Sequence, residues 1–167
     1  MQLSRILTAP LVVDVRRGAV AGLGALLADQ RIATEGRVAV AVGPSQGDSV
    51  LADLAPENLG AAEVFRVEDG TVDTAVDLGK QLRADAFEAV AGIGGGKTID
   101  VTKFAAHMAG IPMVAVATNL SHDGIASPVS SLEHESGKSS YGVVPPVAVL
   151  VMTMQTLIMM HTASSAV

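Results

Sequence analysis

Ala91-Gly-Ile-Gly-Gly-Gly-Lys-Thr-Ile-Asp100 is the stretch of sequence that decides the fold. It places three consecutive glycines and a lysine between an apolar, strand-like run and an alanine-rich, helix-like run. Glycine lets the main chain approach a ligand closely, and the first turn of a helix offers unpaired N–H groups and a positive dipole end to an anion. The stretch therefore predicts a strand, a phosphate-binding turn and a helix, although a tight turn without a ligand would use the same glycines.

Apolar runs of the same strand-like kind recur on both sides of this stretch. Each is continuous rather than alternating in polarity, which is typical of parallel strands covered on both faces. Segments with helical spacing of small and apolar residues lie between them, at 18–30, 46–54 and 72–83. We therefore predict a Rossmann-like α/β fold, a parallel sheet with helices on both faces that binds ligands at the carboxyl ends of its strands. The predicted strands are 11–15, 37–42, 62–67, 87–92, 111–117 and 147–152.

The last part of the chain departs from this pattern. Residues 127–146 are polar and rich in Gly, Ser and Pro, which predicts a β-hairpin-like excursion beside the sheet. Residues 152–167 hold four of the seven methionines and no acidic or basic residue apart from His161. At 167 residues the chain has room for one domain, so we predict an α/β domain over residues 1–151 and an atypical apolar tail over 152–167.

Composition narrows the classes of function. Hydrophobic residues make up 49% of the chain and charged residues 17%, which argues against disorder. No apolar run reaches the roughly 18 residues of a membrane span, and the absence of cysteine and of a leader-like start favours a soluble, cytoplasmic protein. A net charge of −6, with three Phe, one Tyr and no Trp, provides neither a basic patch nor a stacking surface, so we expect no nucleic-acid partner.

Two general nucleotide-binding patterns can be compared with the glycine stretch. Ala91-x-x-x-x-Gly96-Lys97-Thr98 fits the spacing of a Walker loop if alanine replaces the first glycine, with Lys97 on the β- and γ-phosphates and Thr98 on Mg²⁺. A Walker-type site also needs a second strand that ends in a magnesium-binding acid, and no predicted strand ends in an obvious acid of this kind. The dinucleotide fingerprint G-x-G-x-x-G fails at its last position, where Lys97 stands. A small nucleotide triphosphate-binding or phosphotransfer domain is therefore an alternative function.

Three blocks together carry a more specific signal. They are Gly94-Gly-Gly-Lys-Thr-Ile-Asp100 with Lys103, Ile111-Pro-Met-Val-Ala-Val-Ala-Thr118, and Ser121-His-Asp-Gly-Ile-Ala-Ser-Pro128. In order and spacing they resemble the sn-glycerol-1-phosphate dehydrogenases of the iron-alcohol-dehydrogenase and dehydroquinate-synthase superfamily, from about residue 38 to about 150. The last block is the most specific, because glycine-rich loops recur in many folds. The resemblance implies an NAD(P)H-binding domain of an oxidoreductase that reduces dihydroxyacetone phosphate to sn-glycerol 1-phosphate.

The same resemblance implies roles for individual residues. The glycine turn would hold the cofactor pyrophosphate, the loop after the next strand would line the nicotinamide, and Asp123 would bind substrate hydroxyls. Asp123 could instead form an Asx turn, and Thr118 and Ser121 could be turn or cap residues. Lys103 is better explained as a solvated helical charge than as a cofactor contact. The implied cofactor-binding residues are Gly94, Gly95, Gly96, Lys97, Thr98, Asp100, Thr118, Asn119, Leu120, Ser121 and Ser127.

Asp100 also suits the first turn of the helix that follows the glycines. The choice between NAD and NADP stays open, because Gly43-Pro-Ser-Gln-Gly47 supplies no acid that would bind a ribose 2′-hydroxyl before Asp48.

The resemblance does not extend to a metal centre. The family binds zinc through one aspartate and two histidines in a helical domain beyond the matched region, and none of the four histidines here has a ligand-like spacing. We therefore expect no metal site and no catalytic residue in this chain, and no activity from it alone.

A non-enzymatic remnant of the dehydrogenase fold is a further alternative function. A truncated or frame-shifted product would explain the tail, which could also promote a homo-oligomer. A phosphorylated triose would be a partner only if a second domain completes the site.

Overall fold

The computed structural model describes residues 9–16, 18–29, 37–44, 62–120 and 123–152. Within them, six strands form one sheet in the order β1-β8-β5-β4-β2-β3, and every neighbouring pair is parallel. This confirms the predicted parallel α/β architecture. The strands are β1 (Val12–Asp14), β2 (Val38–Val42), β3 (Glu63–Arg66), β4 (Ala89–Gly94), β5 (Met113–Ala117) and β8 (Ala148–Val151).

Helices connect the strands. A 3₁₀ helix (Ala19–Gly22) leads directly into α1 (Leu23–Asp29), where the sequence predicts a single helix over 18–30. The helix α2 (Val72–Ala84) matches the prediction of 72–83 within one residue. The helix α3 (Gly96–Ala109) follows the glycine stretch and ends at Gly110, whose φ of 74° is the left-handed conformation favoured after a helix. The predicted helix at 46–54 lies outside the described residues.

Both faces of the sheet are covered, which explains why its strands are apolar without alternation. In β2, Ala39 and Ala41 point toward a core layer that contains residues of α2 and α3. Val40 and Val42 point toward the opposite layer, which the 3₁₀ helix and α1 cover. All four side chains are fully buried. A strand with two buried faces has no position for a polar side chain, and this produces the continuous pattern seen in the sequence.

The order of the strands creates a crevice at the carboxyl edge of the sheet. From β2 the chain passes outward to β3, and then returns through α2 to β4 on the other side of β2. The direction of winding therefore reverses between β2 and β4. In open α/β sheets, ligands bind outside the carboxyl ends of the strands at this type of reversal.

A separate hairpin packs beside the sheet, as the polar segment 127–146 predicts. Its antiparallel strands are β6 (Val129–His134) and β7 (Gly137–Gly142). It is attached to the loop before α2 by the Glu133 N–H, which donates to the Gly70 carbonyl at 2.8 Å. Tyr141 also meets Phe104 of α3 edge to face, with ring centroids 5.2 Å apart.

The boundaries of the domain remain a prediction, because residues 153–167 are outside the described part of the chain. Met152, the last residue described, is buried against the α1 side of the sheet. Among the described residues, no helix has the length and apolar character needed to cross a bilayer.

Candidate functional site

The turn between β4 and α3 consists of a single residue. Gly94 ends the strand, Gly96 begins the helix, and Gly95 lies between them in an extended conformation. No side chain caps the start of α3, whereas Thr71 caps α2 by accepting a hydrogen bond from the Thr74 N–H at 3.2 Å. The N–H groups of the first turn of α3 have no acceptor within the helix. The glycine turn therefore presents backbone donors and the positive end of a helix dipole at the carboxyl edge of the sheet.

This geometry does not favour a Walker loop. Such a loop needs a run of residues between strand and helix whose N–H groups surround the phosphates. Here β4 extends through Gly94, so the first four positions of the Walker match, residues 91–94, are strand residues. Thr98, the expected magnesium ligand of that alternative, is only 4% exposed.

Thr98 instead joins the ends of β2 and β4. A Cβ atom added at Gly43 would lie 2.5 Å from the Thr98 Oγ1 atom, and one added at Gly94 would lie 2.7 Å from it. The Gly43 N–H also donates to the Ile93 carbonyl at 3.2 Å. Both glycines are therefore required by the close approach of Thr98, and all of these residues lie at the reversal point of the sheet.

The loop after β5 forms one side of the site. The Thr118 N–H donates to the Gly94 carbonyl at 3.0 Å, and the Thr118 side chain is buried. Asn119 is exposed, and its Nδ2 atom lies 3.1 Å from the place that a Cβ on Gly95 would take. Leu120 is 67% exposed. The structure thus brings two of the predicted nicotinamide-side residues, Thr118 and Asn119, against the glycine turn.

Lys97 and the loop between β3 and α2 form the other side. Lys97 is exposed, and its side-chain stem passes close to Gly70, where an added Cβ would be 2.9 Å from Lys97 Cγ. Asp69 accepts hydrogen bonds from the Thr74 hydroxyl (2.6 Å), the Thr71 hydroxyl (2.7 Å) and the Thr71 N–H (3.0 Å). The bond from Thr74, followed by those from Thr71, holds the pKa of Asp69 below its usual range, and the charge of Lys97 acts in the same direction.

Asp100 does not lie in the first turn of α3, contrary to the prediction. The first turn contains no acidic residue, and Asp100 is the fifth residue of the helix. Its side chain is 2% exposed and lies 3.1 Å from the Lys103 Nζ atom, measured at Oδ1. This carboxylate thus takes part in an internal ion pair, and a contact between Asp100 and the cofactor stays a prediction.

The prediction that Lys103 is a solvated helical charge is wrong. Its side chain is fully buried. Its ammonium group donates to the carbonyls of Gly124 at 2.7 Å, Ser127 at 3.3 Å and Val129 at 2.5 Å. The sequence reasoning missed this residue, although the spacing of Asp100 and Lys103, three apart on a helix, allows the pair to be recognised.

The segment before the hairpin carries the remaining predicted residues. A 3₁₀ helix (Asp123–Ala126) leads into Ser127, which is half-buried. The Ser127 Oγ atom lies 3.1 Å from the Gly124 carbonyl oxygen and 3.2 Å from that of Val129, so its hydroxyl has internal acceptors. Ser121 and the side chain of Asp123 lie outside the described residues, and their roles stay predictions.

Within the described part of the chain, no group of three or more His, Asp or Glu side chains is arranged to hold a metal ion. His107 and His134 are exposed, on α3 and β6 respectively. His122 and His161 lie outside the described residues.

Solved structures of other proteins share this fold. The chain is similar to a probable glycerol dehydrogenase from Sinorhizobium meliloti, with 22% identity and a TM-score of 0.76, over 89% of this chain and 41% of that one. It is also similar to sulfoacetaldehyde reductase from Bifidobacterium kashiwanohense, which was solved in complex with NAD+. The identity there is 19% and the TM-score 0.75, over 93% of this chain and 48% of that one.

Sequence comparison identifies the family. The chain is 36% identical to the NAD(P)+ glycerol-1-phosphate dehydrogenase of Methanothermobacter thermautotrophicus over 136 aligned residues. The alignment covers 80% of this chain. It spans only 38% of the length of that relative. The family model described as iron-containing alcohol dehydrogenase matches residues 14–155, a region that contains the glycine turn, the hairpin and every strand of the sheet except most of β1. The chain therefore belongs to the iron-containing alcohol dehydrogenase family.

Proposed function

We propose that this chain provides the NAD(P)H-binding domain of an oxidoreductase of the glycerol-1-phosphate dehydrogenase type. The observation that carries the proposal is the N-terminus of α3, which has no side-chain cap and lies where the winding of the sheet reverses. The names of the relatives support the choice of a nicotinamide dinucleotide over other phosphorylated ligands.

In the proposed complex, the pyrophosphate of the cofactor lies at the N-terminus of α3. The N–H groups of Gly96, Lys97 and Thr98 donate to its oxygens, and Gly95 lets the anion approach because it has no side chain. The exposed ammonium of Lys97 adds a positive charge. The Thr98 side chain is buried between the ends of β2 and β4, so Thr98 contributes through its backbone N–H.

The nicotinamide end of the cofactor is proposed to lie beside the loop after β5, near Thr118 and Asn119. The segment that contains Asp123 and Ser127 then borders the substrate. When bound, the reduced nicotinamide would supply a hydride to the carbonyl carbon of a phosphorylated triose, and a proton from water would complete the secondary alcohol. Among the described residues, no group of side chains fits the zinc that the family resemblance implies, and we expect turnover to require a second domain.

Cofactor binding can be tested on the purified chain by following the fluorescence of NADH and NADPH, because the protein has no tryptophan. We expect saturable binding of at least one of them, and a loss of at least about tenfold in affinity in Gly95→Val, whose branched side chain would occupy the pyrophosphate position. Gly22→Ala is the control and should leave the affinity unchanged. Its added Cβ meets nothing within 4 Å, and Gly22 lies in the 3₁₀ helix on the face of the sheet opposite to α3.

Competition with Mg-ATP distinguishes the proposed dinucleotide-binding domain from a triphosphate-binding domain. Mg-ATP should not displace the dinucleotide, because a one-residue turn cannot surround a triphosphate. Displacement at similar concentrations would instead support a triphosphate-binding domain. A folded chain that binds neither NADH nor NADPH would refute the proposal and support a remnant that has lost its ligand.

A further inference from the structure

Lys103 is a fully buried cation in the middle of α3. Removing an ammonium group from water is costly unless it gains an opposite charge and hydrogen-bond acceptors in return. Burial lowers the pKa of Lys103, while the charge of Asp100 and the hydrogen bond to it act in the opposite direction. The ion pair with Asp100 at 3.1 Å therefore helps to keep the lysine charged inside the protein.

The backbone carbonyls that accept hydrogen bonds from the ammonium come from one distant segment. The carbonyls of Gly124, Ser127 and Val129 converge on Nζ, at 2.7, 3.3 and 2.5 Å, from positions 21 to 26 residues further along the chain. Other hydrogen bonds also hold this segment: the Ser127 N–H donates to the Gly124 carbonyl at 3.2 Å, and the Val143 N–H donates to the Pro128 carbonyl at 3.0 Å. The Lys103 ammonium adds a point at which three of the segment's carbonyls meet.

We propose that Lys103 is a positioning residue: its ammonium fixes the segment 123–129, and thereby the place of Asp123 and Ser127 relative to the bound cofactor. The second half of this statement rests on the proposed function, whereas the first half does not. Lys103 itself contacts neither cofactor nor substrate, because it is buried beneath the segment that it holds. Its effect should appear as order in residues 123–129 and as affinity for the dinucleotide.

The absence of cysteine from the sequence permits a test that changes only the terminal ammonium group, with its charge and its hydrogen-bond donors. Lys103→Cys is alkylated in denaturant either with 2-bromoethylamine or with 1-iodopropane, and each product is refolded. The first product restores an ammonium on a side chain of the same length as lysine, and the second ends in a methyl group at the same position. Hydrogen exchange of peptides covering 123–130 then reports the order of the segment, and NADH titration reports the site.

In the propyl product, we expect exchange in residues 123–130 to be at least about tenfold faster than in the unmodified chain, while α2 keeps its protection. NADH affinity should fall with it, and the aminoethyl product should recover both properties. Unchanged exchange in the propyl product would overturn the inference. Faster exchange with unchanged NADH affinity would overturn the link to the cofactor. If the unmodified chain binds no NADH, the proposed function fails, but the exchange comparison still decides whether Lys103 holds the segment.

A second measurement avoids the need for a variant that refolds. In the unmodified chain with ¹⁵N-lysine and ¹³C-carbonyl valine, the buried ammonium should give a slowly exchanging NMR signal coupled through the hydrogen bond to the carbonyl of Val129. Absence of a slowly exchanging lysine ammonium would overturn the proposal.

Discussion

Gly43→Ala tests whether the ends of β2 and β4 meet at Thr98 as the structure shows. The added Cβ would lie 2.5 Å from the Thr98 Oγ1 atom, far inside an ordinary van der Waals contact. Neither partner can move away easily. Thr98 is 4% exposed and has a stiff β-branched side chain, and the Gly43 N–H is bound to the Ile93 carbonyl. We therefore expect Gly43→Ala to lower the free energy of unfolding by about 1–3 kcal/mol, the usual cost of overpacking.

Thr98→Ala should relieve this clash, because it removes the Oγ1 atom and leaves the Thr98 Cβ at an ordinary 3.6 Å from the new methyl group. In the double variant, the cost of Gly43→Ala should fall close to zero. The two substitutions should therefore show a coupling free energy of about 1–3 kcal/mol, within the range found for residues in contact.

Urea unfolding followed by far-UV circular dichroism measures each free energy in a chain without tryptophan. The control cycle pairs Thr98→Ala with Gly22→Ala, whose added Cβ has no neighbour within 4 Å and should be additive within about 0.5 kcal/mol. A coupling below about 0.5 kcal/mol between positions 43 and 98 would show that the two strand ends do not meet at Thr98.

Two further substitutions test the C-terminus of α3 and the loop before α2. Gly110→Ala should cost about 1–2 kcal/mol of unfolding free energy through backbone strain alone, because φ is 74° and the added Cβ meets no atom within 4 Å; an unchanged urea midpoint would contradict this. The hydrogen bonds that lower the pKa of Asp69 stabilise the fold fully above its unfolded pKa of about 3.9, and this contribution is lost as the pH falls through the lower folded value. Asp69→Asn should therefore reduce the loss of stability measured on acidification below about pH 5, and identical pH profiles of the two chains would refute the assignment.

The strands and the glycine turn could be predicted from the sequence because local physics determines them. Runs such as Val38–Val42 are apolar at every position, and only a strand buried on both faces requires this. The helix α2 has its own start signal in the Thr71 cap. The turn at Gly95 could be predicted because close backbone packing and anion binding both demand glycine.

The environment of α3 could not be predicted in the same way. Lysine on an amphipathic helix usually lies on the face exposed to water, so the sequence predicts an exposed Lys103. Its burial depends on carbonyls more than 20 residues away, which fold back over the helix only in the tertiary structure. The hydrogen bonds of Asp69 are an intermediate case. They follow from the local spacing of Thr71 and Thr74, but the position of Lys97 beside them depends on the packing of two separate loops.

One helix connects the two halves of the proposed site. The glycine turn begins α3, and Lys103 lies seven residues after Gly96, which corresponds to about 10 Å along the helix axis. Most residues of α3 from Thr98 to Ala106 are buried, so the helix is held from several sides and cannot shift without disturbing the core. The N-terminus that would receive the pyrophosphate and the cation that holds residues 124–129 are therefore fixed relative to each other. A cofactor bound at one end of α3 would meet a substrate-side segment whose position the same helix has already set.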